Sequence, residues 1–333
     1  LRGELLVARG KYGQAIEVLD QLIEEEPSSP SAYYFKGMAH LGRGEPGFAR
    51  TALAKALELK PDNVRAKLLM ANIYLRDRDL ELARKESLEI LEIKPENSQA
   101  RLILGNSYLY EQKFEPARKE YESIIETAPD SPLGYYKLGN LQRIRRQYDS
   151  ALKNYEKALS INPNLMDVFT GVIMVHAARK EFYSAIGKCD RQLERMAYKP
   201  KISSLVYNLK GGVYLAAGQK NPAQKSFEKS VELNPNKLKA YYALAWMYIS
   251  ENKQEQDIAQ YKAVLDANPK EATAHMLLAT IYDSQSRFEE SENHYRAALE
   301  INPNFVPAAN NLAYILADQD KDINEALDLA RLA

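Results

Sequence analysis

Proline returns every 34 residues along this chain, at Pro27, Pro61, Pro95, Pro129 and Pro163, and again in that spacing at Pro235, Pro269 and Pro303. A single domain folded around one core has no reason to repeat at a fixed interval. A row of stacked helical hairpins does, because each unit must bury its apolar face on its neighbours. The length of 333 residues alone would suggest about two globular domains. The repeat overrides that expectation, since such an array grows by adding units.

With each unit counted so that its proline is position 32, the units start at Pro30, Val64, Ser98, Pro132, Met166, Ser204, Leu238 and Ala272. Partial units cover 1–29 and 306–333, so residues 1–333 read as one array, and as a fragment of a longer chain. Position 8 reads Gly37, Ala71, Gly105, Gly139, Ile173, Gly211, Ala245, Ala279 and Ala313, tiny in all but one case. Position 20 is Ala49, Ala83, Ala117, Ala151, Ala185 and Ala223. Small residues at both places let two helices approach closely. Tyrosine recurs at position 11 (Tyr74, Tyr108, Tyr214, Tyr248, Tyr282) and an aromatic ring at position 24 (Tyr121, Tyr155, Phe227, Tyr261, Tyr295).

Apolar residues within each half-unit follow helical spacing. Each unit is therefore a helix of about a dozen residues, a turn, a second helix and a stop. The turns sit at Gly42-Arg43-Gly44 and Ala217-Gly218-Gln219. The stop is the proline, followed by a polar residue suited to cap the next helix, as in Pro61-Asp62-Asn63, Pro129-Asp130-Ser131 and Pro235-Asn236.

Small at 8, tyrosine at 11, alanine at 20, aromatic at 24 and proline at 32 on this period resembles the tetratricopeptide repeat, over essentially the whole chain. The resemblance implies an all-α fold, a right-handed α-solenoid superhelix of stacked helix-turn-helix repeats. It also implies that first helices line a concave groove through positions 2, 5, 9 and 12.

Three places depart from the pattern. The unit at Met166 has Ile173 at position 8, Ala197 in place of the proline, and four extra residues through Tyr198-Lys199-Pro200-Lys201-Ile202. These read as a longer loop, with a change of superhelix direction or a local binding element as the alternative. Asp257 occupies close-packed position 20, where a carboxylate needs a partner or solvent. The last unit gains one residue near Asp318–Asp322.

In the groove, position 9 is Asn72, Asn106 and Asn140 in three consecutive units. Each carboxamide donates and accepts, so a ladder of them could hold the backbone of an extended peptide. The alternative is ordinary repeat surface. Positions 5 and 12 are apolar: Tyr34, Leu41, Leu68, Leu75, Leu102, Leu109, Tyr136, Tyr242, Ile249 and Met276, with Trp246 at position 9. In the pairs Tyr33-Tyr34, Tyr135-Tyr136 and Tyr241-Tyr242, the first ring is expected in the core and the second in the groove. Either a partner buries these groove residues, or neighbouring helices do so themselves. Two tetratricopeptide subtypes fit poorly. The pattern for a carboxylate clamp meets Leu68, Ile103, Leu133 and Lys137, and the asparagine ladder at position 6 is met only by Asn311.

Catalytic and cofactor signatures are weak. Gly42 to Gly47 matches GxGxxG but lies in a turn between helices with no strand before it. Asp318, Asp320 and Asp322 mimic a calcium loop, yet Ile323 and Leu329 stand where it needs Gly and Glu. Arg143, Arg145 and Arg146 read as a solvated turn. The four histidines, His40, His176, His275 and His294, are read as occupying different repeats, with His40 and His176 in the position 11 core slot. No nucleophile, base and orienter share a unit. One cysteine, Cys189, allows neither an internal disulfide nor a CxxC metal site. Lys+Arg and Asp+Glu are each 45, and residues 1–165 hold 25 and 24, so no basic footprint for nucleic acid appears. No apolar run is long enough for membrane insertion.

These features point to a non-catalytic interaction scaffold without cofactor or metal, which holds a peptide segment or partner helix in its groove. A recruiting arm of a larger enzyme or export assembly, and a self-assembling scaffold or homo-oligomer, are the alternatives. The sequence names neither partner nor compartment; a soluble cytoplasmic or periplasmic setting is expected.

Overall fold

The computed structural model describes residues 2–196, 199–235, 238–251 and 254–333. Ala197, Tyr198 and the expected cap Asn236 lie outside them, as do the side chains of Tyr242, Ala245, Tyr248 and Ile249. The described residues form helices and turns only, and group into two compact units, Leu1–Val168 and Phe169–Ala333.

The first unit carries the hairpins α1/α2 (Arg2–Ala8, Tyr12–Glu25), α3/α4 (Pro30–Gly42, Pro46–Leu59), α5/α6 (Val64–Asp77, Leu80–Ile93), α7/α8 (Ser98–Tyr110, Phe114–Thr127) and α9/α10 (Pro132–Ile144, Tyr148–Ile161). The boundary falls inside α11 (Met166–Ala178), which pairs in sequence with α12 (Phe182–Arg195). The second unit continues with α13/α14 (Pro200–Ala216, Lys220–Leu233), α15/α16 (Leu238–Glu251, Gln254–Ala267), α17/α18 (Ala272–Ser284, Phe288–Ile301) and α19/α20 (Val306–Asp318, Ile323–Leu332).

Five of the hairpins close at the same place. A β-carbon on Gly105 would lie 2.6 Å from Cε1 of Tyr121, and one on Gly139 would lie 2.7 Å from Cε1 of Tyr155. Gly211 meets Phe227 at 2.7 Å, Gly37 meets Leu53 at 2.7 Å, and Gly3 meets Leu19 at 2.6 Å. Position 8 is thus the socket and position 24 the knob. The fully buried rings of Tyr121, Tyr155 and Tyr295 fill the space between the two helices. Repeat 166 inverts the sizes: the larger Ile173 stands at position 8 and the smaller Cys189 at position 24, both buried. Where position 20 is serine, the hydroxyl finds a carbonyl: Ser291 donates to the backbone oxygen of Ala279 at 2.9 Å. Asp257 at position 20 accepts from Nε2 of Gln224 at 3.4 Å, which gives that half-buried carboxylate a polar partner.

Among the described residues the turn between the helices is equally uniform. The N–H of position 16 donates to the carbonyl of position 11, as in Glu45 to His40 at 2.9 Å, Gln147 to Gln142 at 2.8 Å and Glu181 to His176 at 2.9 Å. That closure puts position 15 in the left-handed region. Glycine takes it at Gly10, Gly44 and Gly218 (φ 71°, 76° and 74°). Arg78, Gln112, Arg146, Lys180, Ser286 and Asp320 adopt it with side chains, at φ between 50° and 69°. At the unit junctions the polar caps act as expected. Asn63 accepts from the N–H of Ala66 at 3.2 Å, Asn97 from Ala100 at 2.9 Å, and Ser131 from Leu133 at 3.4 Å.

The four extra residues after Met196 do not make a longer loop. They add a helical turn to α13, which runs for 17 residues from Pro200, where neighbouring first helices run for 13 or 14. Pro200 at the first helical position starts the helix early, with its fixed φ already suited to it. The hydroxyl of Ser203 then donates to the carbonyl of Met196 at 3.0 Å. Ser204 and Ser230 each donate a hydroxyl to the other's backbone oxygen at 2.8 Å, which pins α13 to α14 just after the added turn. The last repeat gains its residue in the turn, with 319–322 between α19 and α20 against 285–287 in the repeat before.

Two stability outcomes follow from the hairpin. Gly105→Ala and Gly139→Ala should each lose about 1–3 kcal/mol, because the buried tyrosine has no room to retreat. Arg78→Gly and Lys180→Gly should each gain about 0.5–1 kcal/mol by relieving left-handed strain. Urea unfolding of the single variants reads both. Unchanged midpoints for the alanine variants would mean that the helices can separate at this point without cost.

Candidate functional site

The eleven residues expected along the first-helix face divide between the units. Nine, from Tyr34 to Asn140, lie in the first and two, Tyr242 and Trp246, in the second. Tyr242 has its side chain outside the described residues. Trp246 is 54% exposed.

The three asparagines are not equivalent. Tyr121 at position 24 of repeat 98 donates its hydroxyl to Oδ1 of Asn106 at 2.9 Å. Tyr155 does the same to Asn140 at 2.7 Å. The ring that fills the position 8 socket therefore also holds the next residue's amide by its oxygen and leaves the NH2 group over. Repeat 64 has Ser87 at position 24 and no phenol to offer. Asn72 is exposed and turns its own NH2 back to the carbonyl of Leu68 at 2.8 Å.

The apolar groove positions are half used by the fold. Leu68 and Leu75 pack on Ala71, Ala83 and Ile103. Leu102 and Leu109 pack on the cluster around Tyr121 and Leu138. Tyr34 lies edge-on to Phe35 at 5.1 Å and packs beside Leu41 on the core of repeats 30 and 64. Met276 is completely buried. Of the tyrosine pairs, Tyr241 is buried as expected, while Tyr33, Tyr34, Tyr135 and Tyr136 are all half-buried.

Two cations share this face with the amides. Lys137, at position 6, places its ammonium 5.3 Å from the centre of the Tyr136 ring. Burial holds its proton affinity below the ordinary lysine value, against the pull of Asp167. Arg143, at position 12, stands by the phenol of Tyr155; burial raises that phenol's pKa and the guanidinium works against the rise. Neither cation follows from the repeat pattern. The pairing of asparagine at 9 with tyrosine at 24, present in repeats 98 and 132 and absent in repeat 64, is the signal that was readable.

The remaining chemistry-bearing residues serve the fold. Gly42 makes room for Tyr12, whose ring carbons would be 2.4 Å from an added β-carbon, and Gly44 makes the left-handed turn. Asp322 caps α20 by accepting from the N–H of Glu325 at 2.9 Å. Arg145 pairs with Glu115 at 2.7 Å. Burial pushes the Cys189 thiol up to about 12, which keeps it protonated. His40 and His176 are buried, with Nδ1 on Glu45 at 2.7 Å and on Glu181 at 2.6 Å. Among the described residues no group of three or more His, Cys, Asp or Glu gathers as a metal site would need, and no helix is long and apolar enough to cross a membrane.

The expectation that the histidines occupy different repeats fails for His275 and His294. They occupy positions 4 and 23 of the same repeat, and their Nδ1 atoms lie 2.9 Å apart. His294 stacks on Tyr282 at 5.6 Å between ring centres. Burial, then the neighbouring His275 and Lys262, hold His294 down to about 4. An unfolded histidine takes its proton near 6.5, so between those values the unfolded chain binds the extra proton and stability falls as pH falls. An NMR titration should show His294 still neutral at pH 5.5, and His294→Gln should reduce the loss of urea resistance between pH 7 and 5. A His294 midpoint near the free value would overturn this.

Comparison with known proteins agrees with the repeat. Family models described as Tetratricopeptide repeat match residues 1–47, 39–98, 99–131, 132–165, 205–237, 226–260 and 272–305. A tetratricopeptide repeat protein from Parabacteroides merdae is 21% identical, with a TM-score of 0.56 over 71% of this chain and 92% of its own. IFIT1, as a monomeric mutant with Gppp-AAAA, is 14% identical, with a TM-score of 0.56 over 88% of this chain and 68% of its own. At these identities the likeness shows the fold alone. Among curated proteins there is no significant sequence match. The chain belongs to the tetratricopeptide repeat family.

Proposed function

We propose that this chain is a non-catalytic interaction scaffold that holds an extended peptide segment along the first helices of repeats 30 to 132. The observation that carries the reading is the pair of amides on consecutive repeats, Asn106 and Asn140, each gripped through its oxygen by a buried tyrosine. A gripped amide loses little freedom on binding, so its NH2 can meet a peptide carbonyl at low entropic cost. Leu68, Leu75, Leu102, Leu109, Tyr34 and Tyr136 supply apolar flanks between the amides, each half-buried and so already fixed in place.

Affinity capture from native lysate, with the chain and its Asn72/Asn106/Asn140→Ala variant side by side, tests this. A partner should be lost with the triple variant while circular dichroism stays unchanged. Asn72→Ala alone should retain it, because Asn72 is turned to its own helix. Equal capture by the triple variant would show that the amides are ordinary repeat surface.

A further inference from the structure

Across repeats 30, 64, 98 and 132 the first-helix face is chemically one-sided, with Glu4 at position 9 of the partial first repeat and Asp167 at position 2 of the following repeat bringing carboxylates to either end. Positions 2, 5, 6, 9, 12 and 13 of repeats 30, 64, 98 and 132 hold Arg65, Arg76, Lys137 and Arg143 and no carboxylate, in a chain whose charges cancel overall. Arg65 is exposed, and Arg76 reaches Asp77 at 3.5 Å. Asp167, at position 2 of the next repeat, is an acid whose charge acts on Lys137.

The arrangement is tightest on α9. At 100° per residue, Lys137 lies about 60° to one side of Asn140 and Arg143 about 60° to the other, with about 9 Å of helix axis between them. The Nε of Arg143 is buried and has no hydrogen-bond partner. Its cation draws the lone pairs of the Tyr155 oxygen, so the phenol's hydrogen goes to Oδ1 of Asn140. That fixes the amide with its NH2 outward. The groups presented are then an ammonium, a guanidinium and an amide NH2, with a second NH2 on Asn106: donors throughout.

A ligand for such a face must be made of acceptors. We propose that the bound segment is acidic, with two carboxylates spaced for Lys137 and Arg143 and the backbone carbonyl between them on Asn140. Alternate residues of an extended chain are about 7 Å apart and residues three apart about 10 Å, against about 9 Å of helix axis between Lys137 and Arg143. This rests on the peptide-binding reading above.

Selection of a random twelve-residue peptide display library on the intact chain separates the two. Enriched peptides should carry two acidic residues two or three positions apart. A fluorescein-labelled representative should bind about tenfold more weakly at 300 mM than at 50 mM NaCl, and about fivefold or more weakly to Lys137→Gln and to Arg143→Gln. Arg143→Lys should restore much of the loss if charge is what matters, which a merely structural role would not do. Enrichment of peptides without acidic residues, lost with Asn106→Ala and Asn140→Ala, would overturn the acidic specificity and leave the groove standing. Enrichment of nothing, or of peptides indifferent to all these variants, would overturn both.

Discussion

The close approach of two helices at positions 8 and 24 is the contact on which everything else depends. It sets the distance between the helices of each hairpin, and with it the slab that the next hairpin packs on. A glycine with a buried ring over it achieves this at Gly105, Gly139 and Gly211, and with leucine as the knob at Gly3 and Gly37. The inverted pair Ile173 and Cys189 shows that the constraint is on combined size and not on which helix supplies the bulk. Packing at crystal-like density tolerates such exchange when total volume is kept.

The same contact reaches into the candidate site. A phenylalanine would fill the socket as well, and Phe227 does so in repeat 204. A tyrosine carries a hydroxyl past the socket to position 9, where it must find a partner if buried. In repeats 98 and 132 that partner is the asparagine amide. Core packing and surface chemistry are joined here by one oxygen atom, which is why the amides of adjacent repeats are presented alike while Asn72, over Ser87, is not.

Much of the fold was legible because period, socket, knob and stop each sit at fixed offsets, and offsets are what a sequence displays. The residues that escaped are those whose role depends on a partner in the other helix. His275 and His294 stand 19 residues apart and meet only once the hairpin closes. Lys137 and Arg143 look like scattered surface cations until α9 orients them about Asn140. The left-handed turn is hidden for another reason: glycine signals it at Gly44 and Gly218, but Arg78 and Lys180 adopt the same backbone without any compositional mark. The insert before Ser204 was expected as a longer loop, whereas Pro200 opens a helix there.

The added turn of α13 has a geometric consequence of its own. Four residues advance an α-helix by about 400°, only some 40° beyond a full rotation. Everything after the insert therefore keeps its phase, and Gly211 still faces Phe227. Two residues would have rotated the socket about 200° to the far side of the helix. A repeat array of this kind can thus absorb insertions in its first helices only in quanta close to a helical turn.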